Sequence, residues 1–257
     1  MFDPASYLFG LGALCGVAVL TWLISIQRRN VAIVDSLWSL MFLLAALCYA
    51  YRAPALGPRA LLVLALIGVW ALRLSVYISW RNWGHGEDRR YQAIRARNQP
   101  NFAFKSLYLV FLLQALLAWI ISVPAHAAIT RGGDVGLLDL AGAALWLLGL
   151  TFEAGGDWQL ARFKANPANK GLVMDRGFWR YTRHPNYFGD FCVWWGLYLI
   201  ALAAGAWWSA LGPVLMSTLL MRVSGVTLLE QDIGERRPQY ADYIRRTNAF
   251  FPGPRRA

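Results

Sequence analysis

Seven stretches of this chain are apolar and long enough to cross a lipid bilayer, and they decide what it can fold into. They run about Tyr7 to Ile26, Val31 to Tyr51, Ala60 to Trp80, Ser106 to Pro124, Gly136 to Phe152, Tyr187 to Ala204 and Ser209 to Leu229. A hydrocarbon core of about 30 Å takes roughly 20 helical residues per crossing. Composition agrees: 58% of the 257 residues are hydrophobic and 15% charged, against about 25% charged in a soluble domain. The sequence predicts an all-α polytopic membrane protein, a seven-helix bundle forming one domain over residues 1–257.

A formal charge of +11 raises the possibility of a nucleic-acid partner, and the distribution of the charge removes it. On the side of the N-terminus lie Arg52, Arg59 and Arg131; on the other side lie twenty Lys and Arg, with Arg73 and Arg222 inside crossings. By the positive-inside rule the rich side is cytoplasmic, with the N-terminus outside and the C-terminus inside. Asp3 stands where a leader would carry positive charge, so no cleaved signal is expected. Cys15, Cys48 and Cys192 fall inside crossings without metal or disulfide spacing, and no metal is expected. Gly10, Gly12 and Gly16 in the first crossing read as helix packing.

Outer connections are short and plain, whereas the cytoplasmic ones (81–105, 153–186 and 230–257) are long and chemically rich. That asymmetry points to an enzyme with a cytosolic cofactor and a membrane-dissolved substrate rather than a channel, which needs polar linings on both sides. Intramembrane charge is costly unless paired or hydrated. Asp35 sits about one turn inside the second crossing and Arg73 about two turns inside the third, on a helical face with Trp70, Tyr77 and Arg81. Asp35 and Arg73 either form a structural ion pair or line a polar pocket, where desolvation would favour a protonated acid.

Three further segments concentrate polar chemistry. Glu153 and Asp157 share a helix face where the fifth crossing ends, beside Gly155 and Gly156, and read either as a solvated helix end or as a ligand site. The stretch Trp179-Arg180-Tyr181-Thr182-Arg183-His184-Pro185-Asn186-Tyr187-Phe188-Gly189-Asp190 gathers many polar types at a helix start, where free N–H groups suit phosphate. The segment from Gly84 to Arg95 is either an interfacial helix gripping anionic lipid or a pocket mouth using His85, Glu87 or Asp88. His126 lies on the plain outer side and reads as incidental.

The Trp179–Asp190 stretch resembles the signature of the steroid 5α-reductase-like and sterol-reductase superfamily. The run from Glu230 to Tyr243, closed by Phe250, Phe251 and Pro252, is similar to a motif shared with isoprenylcysteine carboxyl methyltransferases. The resemblance is strongest from about residue 136 to 257, and within the superfamily it points to a bacterial branch of reductase-like proteins. It implies NADPH bound in a pocket open to the cytoplasm and a hydride passed to a carbon–carbon double bond of a membrane lipid. It implies cofactor contacts at Tyr77, Asp157, Lys164, Trp179, Arg183, His184, Asn186, Tyr187, Asp190, Glu230 and Tyr240. Lys and Arg suit phosphates; Asn and Asp suit amide and ribose hydrogen bonds.

The steroid enzymes hold the enone with a glutamine–glutamate pair and a tyrosine, where this chain has Val34, Asp35 and Trp70. Asp35, Trp70 and Arg73 are therefore the catalytic candidates, and the acceptor extends to unsaturated membrane lipids other than 3-oxo-4-ene steroids. Two rival readings stand beside this one: a methyltransferase using S-adenosylmethionine, and a non-catalytic scaffold. No obligate protein partner is evident.

Overall fold

The structure, a computed structural model, describes residues 2–223 and 239–256. Within them the chain is helical, with no strand among the described residues. The helices are α1 (Pro4–Arg28), α2 (Ile33–Arg52), α3 (Pro58–Asn82), α4 (Arg89–Arg97), α5 (Phe102–Ile121) and α6 (Val123–Arg131). They continue with α7 (Leu137–Ala165), α8 (Pro185–Ala203), α9 (Leu211–Thr218) and α10 (Tyr240–Arg246). Five of them, α1, α2, α3, α5 and α7, are long and apolar enough to cross a membrane. Leu8, Leu20, Leu61, Val76 and Leu147 are exposed along them, the surface that hydrocarbon covers. These helices mark the chain as a membrane protein.

Helix starts follow local chemistry. Asp3 caps α1 by accepting from the Ala5 and Ser6 amides at 3.1 and 3.2 Å, and Pro4 follows in the first turn. Asp88 caps α4 by accepting from the Arg90 amide at 2.9 Å. α5 is π-helical over Leu107–Leu112.

The chain divides into two compact units: residues 1–136 with 200–209, and residues 137–199 with 210–257. In the first, α2 packs against α1 and α3 around Leu14, Phe42, Ile67 and Trp70, all fully buried. Two hydroxyls lock α2 to α3: Ser39 donates to the Ala71 carbonyl at 2.9 Å and Ser75 to the Ser36 carbonyl at 2.7 Å. Gly10 is required there, because a Cβ would lie 2.6 Å from the Tyr49 ring. Gly12 and Gly16 face open space, so the packing expected of all three rests on Gly10.

In the second unit α7 runs 29 residues, well past the predicted end of its crossing at Phe152. Glycines let α8 lie directly on it. A Cβ at Gly189 would be 2.5 Å from both the Glu153 amide and the Gly149 carbonyl, and one at Gly196 would be 2.6 Å from the Gly142 carbonyl. Gly142, Gly149 and Gly156 recur at two-turn spacing, as do Gly189 and Gly196, so one continuous seam forms.

Candidate functional site

The seam positions the polar residues of the second unit. Glu153 and Asp157 on α7 and Asp190 on α8 are all buried, which replaces the expected solvated helix end with an interior junction. α8 starts at Pro185, and the Asn186 side chain donates its Nδ2 to Asp157 Oδ1 at 3.4 Å. Trp179 is fixed beside this pair, its indole donating to the Gly156 carbonyl at 3.0 Å. The His184 and Tyr187 rings stack at 5.6 Å with planes 8° apart. Lys164 is exposed near the end of the same α7 helix that carries Asp157.

Arg183, among the implied cofactor contacts, also holds the C-terminal segment. Its Nη1 donates to the carbonyls of Thr247 at 2.6 Å and Ile244 at 3.2 Å. Its own amide donates to the Asn248 carbonyl at 2.9 Å. Thr182 donates to the Phe250 carbonyl at 2.8 Å, and Tyr243 donates its phenol to the Trp179 carbonyl at 2.5 Å. Burial pushes the Tyr243 phenol well above its usual range, so it stays a donor. The C-terminal segment is thus laced onto the Trp179–Arg183 stretch. Sequence reasoning saw both motifs and missed their contact; the nearest signal was that each is short and dense in tyrosine and arginine. Tyr240 is buried, 5.4 Å ring to ring from Tyr243, and Glu230 lies outside the described residues.

The first unit holds the catalytic candidates. An open groove of about 490 Å³ runs along α3, lined by Leu72, Arg73, Val76, Tyr77 and Trp80. Trp70 is fully buried and packs edge-on against Phe42 at 5.6 Å. Asp35 makes its ion pair with Arg90, whose Nη2 reaches Oδ2 at 2.8 Å, and Oδ1 accepts from the Tyr91 phenol at 2.5 Å. The structural ion pair expected between crossings is therefore made with α4, whose Arg90 and Tyr91 the sequence left in a surface segment. Burial opposes charge on Arg90, but the Asp35 carboxylate beside it pushes its pKa up. Burial, with Asp35 adding to it, also raises the Tyr91 phenol.

The acids proposed for a pocket mouth are committed as well. Glu87 accepts from Arg95 Nε and Nη2 and from the Val31 amide, each at 2.8 Å. Burial would raise its pKa, but the Arg95 and Val31 donors outweigh it and hold the carboxyl below its usual range. Asp88 is held low against burial in the same way by Arg90. His85 Nδ1 lies 3.0 Å from the Trp83 carbonyl.

His126 is not incidental to the fold. It is fully buried among the rings of Phe2, Tyr7 and Tyr49 at 4.9 to 5.1 Å, with Nε2 3.1 Å from the Ser6 hydroxyl.

Residues 21–247 match the protein family described as protein of unknown function DUF1295. The chain belongs to that family. An uncharacterised protein of the fission yeast Schizosaccharomyces pombe is similar, with 24% identity over 268 residues, covering 90% of this chain and 75% of the other. No solved structure matches. The DUF1295 match takes in both units and every candidate residue from Asp35 to Tyr240.

Proposed function

We propose that this DUF1295 protein is an NADPH-dependent membrane reductase acting on a carbon–carbon double bond of an unsaturated, steroid-like or other, membrane lipid. In this reading the chain crosses the cytoplasmic membrane of a bacterium seven times, with the N-terminus outside and the C-terminus inside. The charge asymmetry between its loops supports that orientation.

The observation that carries the reading is the junction of the second unit, where Asn186 bonds Asp157 beside buried Asp190 and the tethered Trp179. The donor set fits a dinucleotide: an amide and carboxylates for ribose and carboxamide groups, a stacked His184–Tyr187 pair, and exposed Lys164, Arg162 and Arg180 for phosphates. NADPH, when bound, would supply a hydride to one carbon of the double bond, with a proton from water completing the other. Asn186, Asp157 and Asp190 bind and orient the nucleotide. Trp179 shields the junction from water, and Arg183 positions it by holding the C-terminal segment. In the first unit Asp35 takes up the Tyr91 phenol and orients the Arg90 guanidinium, whose further N–H groups can polarise an acceptor oxygen. Leu72, Val76 and Trp80 offer apolar surface to a lipid chain lying along α3, beside Arg73 and Tyr77.

The test is direct binding of NADPH to Asn186→Ala and Asp157→Asn. More than tenfold loss of affinity at an unchanged melting temperature is expected; unchanged affinity contradicts the site. The C-terminal lacing belongs to the motif shared with membrane methyltransferases, so S-adenosylmethionine binding is the second reading. Asn186 and Asp190 extend the motif in the reductase manner and favour the first.

A further inference from the structure

At one end of the first unit α1 ends at Arg28, α2 begins at Ile33, α3 ends at Asn82 and α5 begins at Phe102. The short α4 helix is fastened to this end by acids. Glu87 joins Arg95 to the Val31 amide, Asp35 holds Arg90, and Arg95 Nη2 lies 3.5 Å from the Arg29 carbonyl. These bonds sort the charges of the segment by side. Glu87 and Asp35 are taken up inside the end by Arg95 and Arg90, and the more exposed Asp88 pairs with Arg90. The cations left on the outside, Arg28, Arg29, Arg89 and Arg97, are all exposed.

Beside them Trp80 and Trp83 are 64% and 83% exposed. Exposed tryptophan at the mouth of an apolar span marks the depth of the headgroup layer. Arg28 and Arg29 end α1, and the α4 helix carrying Arg89 and Arg97 is fastened across the same end of the unit. A surface whose acids are neutralised internally and whose outward charge is uniformly guanidinium is complementary to phosphodiesters, which accept several hydrogen bonds from each guanidinium.

We infer that α4 and the α1–α2 turn form a binding surface for the headgroups of anionic phospholipid. Arg28, Arg29, Arg89 and Arg97 ligate the phosphates, and Trp83 enters the layer beside them. The surface is independent of the nucleotide reading, since its residues take no part in that site.

The test uses the full chain in neutral detergent, titrated with phosphatidylglycerol, phosphatidylcholine of the same acyl chains, or inorganic phosphate. The expected result is a melting temperature raised several degrees more by phosphatidylglycerol than by phosphatidylcholine. High salt should weaken the preference, and inorganic phosphate should leave the melting temperature unmoved. A variant carrying R28Q, R29Q, R89Q and R97Q should keep its lipid-free melting temperature and lose the preference about tenfold by native mass spectrometry. Equal response to the two lipids, an undiminished preference in the variant, or an equal shift with inorganic phosphate overturns the proposal. Should the variant misfold, quenching of wild-type tryptophan by brominated phosphatidylglycerol decides: stronger quenching than by brominated phosphatidylcholine supports the surface, and equal quenching overturns it.

Discussion

The Tyr91 phenol donates to Asp35 Oδ1 at 2.5 Å, fastening a short helix outside the apolar spans to the first turn of a helix inside one. The second oxygen of Asp35 is taken by Arg90. One carboxylate thereby serves two donors; its removal strands the Tyr91 phenol and leaves Arg90 to Asp88.

Asp35→Ala is expected to destabilise the protein by about 1–3 kcal/mol, the cost of a buried phenol left without an acceptor together with a lost bond to Arg90. Tyr91→Phe, which removes one donor and strands none, should cost about 1 kcal/mol. The double variant should cost less than the sum of the two. Denaturant titration in detergent measures all three, and strict additivity would contradict the contact. If Asp35 also serves turnover, Asp35→Ala retains NADPH binding while its reductase rate falls.

His126 gives a pH dependence with a defined sign. Burial lowers its pKa from 6.5 to about 4. The unfolded chain therefore takes up a proton near pH 6.5, while the folded chain does so only near pH 4. Stability is full above pH 6.5 and falls as pH drops through that window, by up to about 3 kcal/mol. The facing groups are Ser6, Tyr7, Tyr49 and Phe2, with Asp3 the nearby charge that partly offsets burial. His126→Gln should flatten that part of the stability–pH profile; a slope identical to wild type would contradict the assignment.

The glycine seam is testable by the addition of one methyl group. At Gly189 a Cβ would sit 2.5 Å from backbone atoms of α7, so Gly189→Ala should cost about 1–3 kcal/mol and weaken NADPH binding through Asp190. Gly12→Ala is the control, because nothing lies within 4 Å and alanine favours a helix by about 1 kcal/mol. Melting temperatures moving in opposite directions are expected.

Arg183 and Tyr243 are expected to behave as positioning residues. Arg183→Gln should loosen residues 240–253, seen as faster proteolysis there, and should raise the NADPH dissociation constant. Tyr243→Phe should do the same more weakly, since one hydrogen bond is worth about 1 kcal/mol. A loss of affinity with unchanged proteolysis would instead place Arg183 on the nucleotide.

Much of this was legible in the sequence. Apolar length alone located α1, α2, α3 and α5 to within a few residues, because long hydrophobic runs leave the backbone few alternatives. The helix α7 runs on past the apolar run that ends at Phe152, in keeping with the shared helix face read for Glu153 and Asp157. Glu153 and Asp157 read either as a solvated helix end or as a ligand site when only their own stretch of sequence was weighed; Gly149, Gly156 and Gly189 bury them by admitting α8. The Asp35–Arg90 pair was hidden for a similar reason, since 55 residues separate its partners and a nearer cation, Arg73, offered itself. The lacing of residues 243–253 onto Thr182 and Arg183 is mostly backbone acceptance, which leaves no mark on residue type at the accepting positions.

The central claim is that the junction around Asn186 and Asp157 binds NADPH. The most direct measurement is the melting temperature of the purified protein with NADPH, NADH or S-adenosylmethionine, since a ligand at a hundredfold excess over its Kd stabilises by about 2.7 kcal/mol. The account predicts a shift with NADPH that Asn186→Ala abolishes and that the other two ligands do not reproduce. A shift with S-adenosylmethionine alone, or with none of the three, would contradict it.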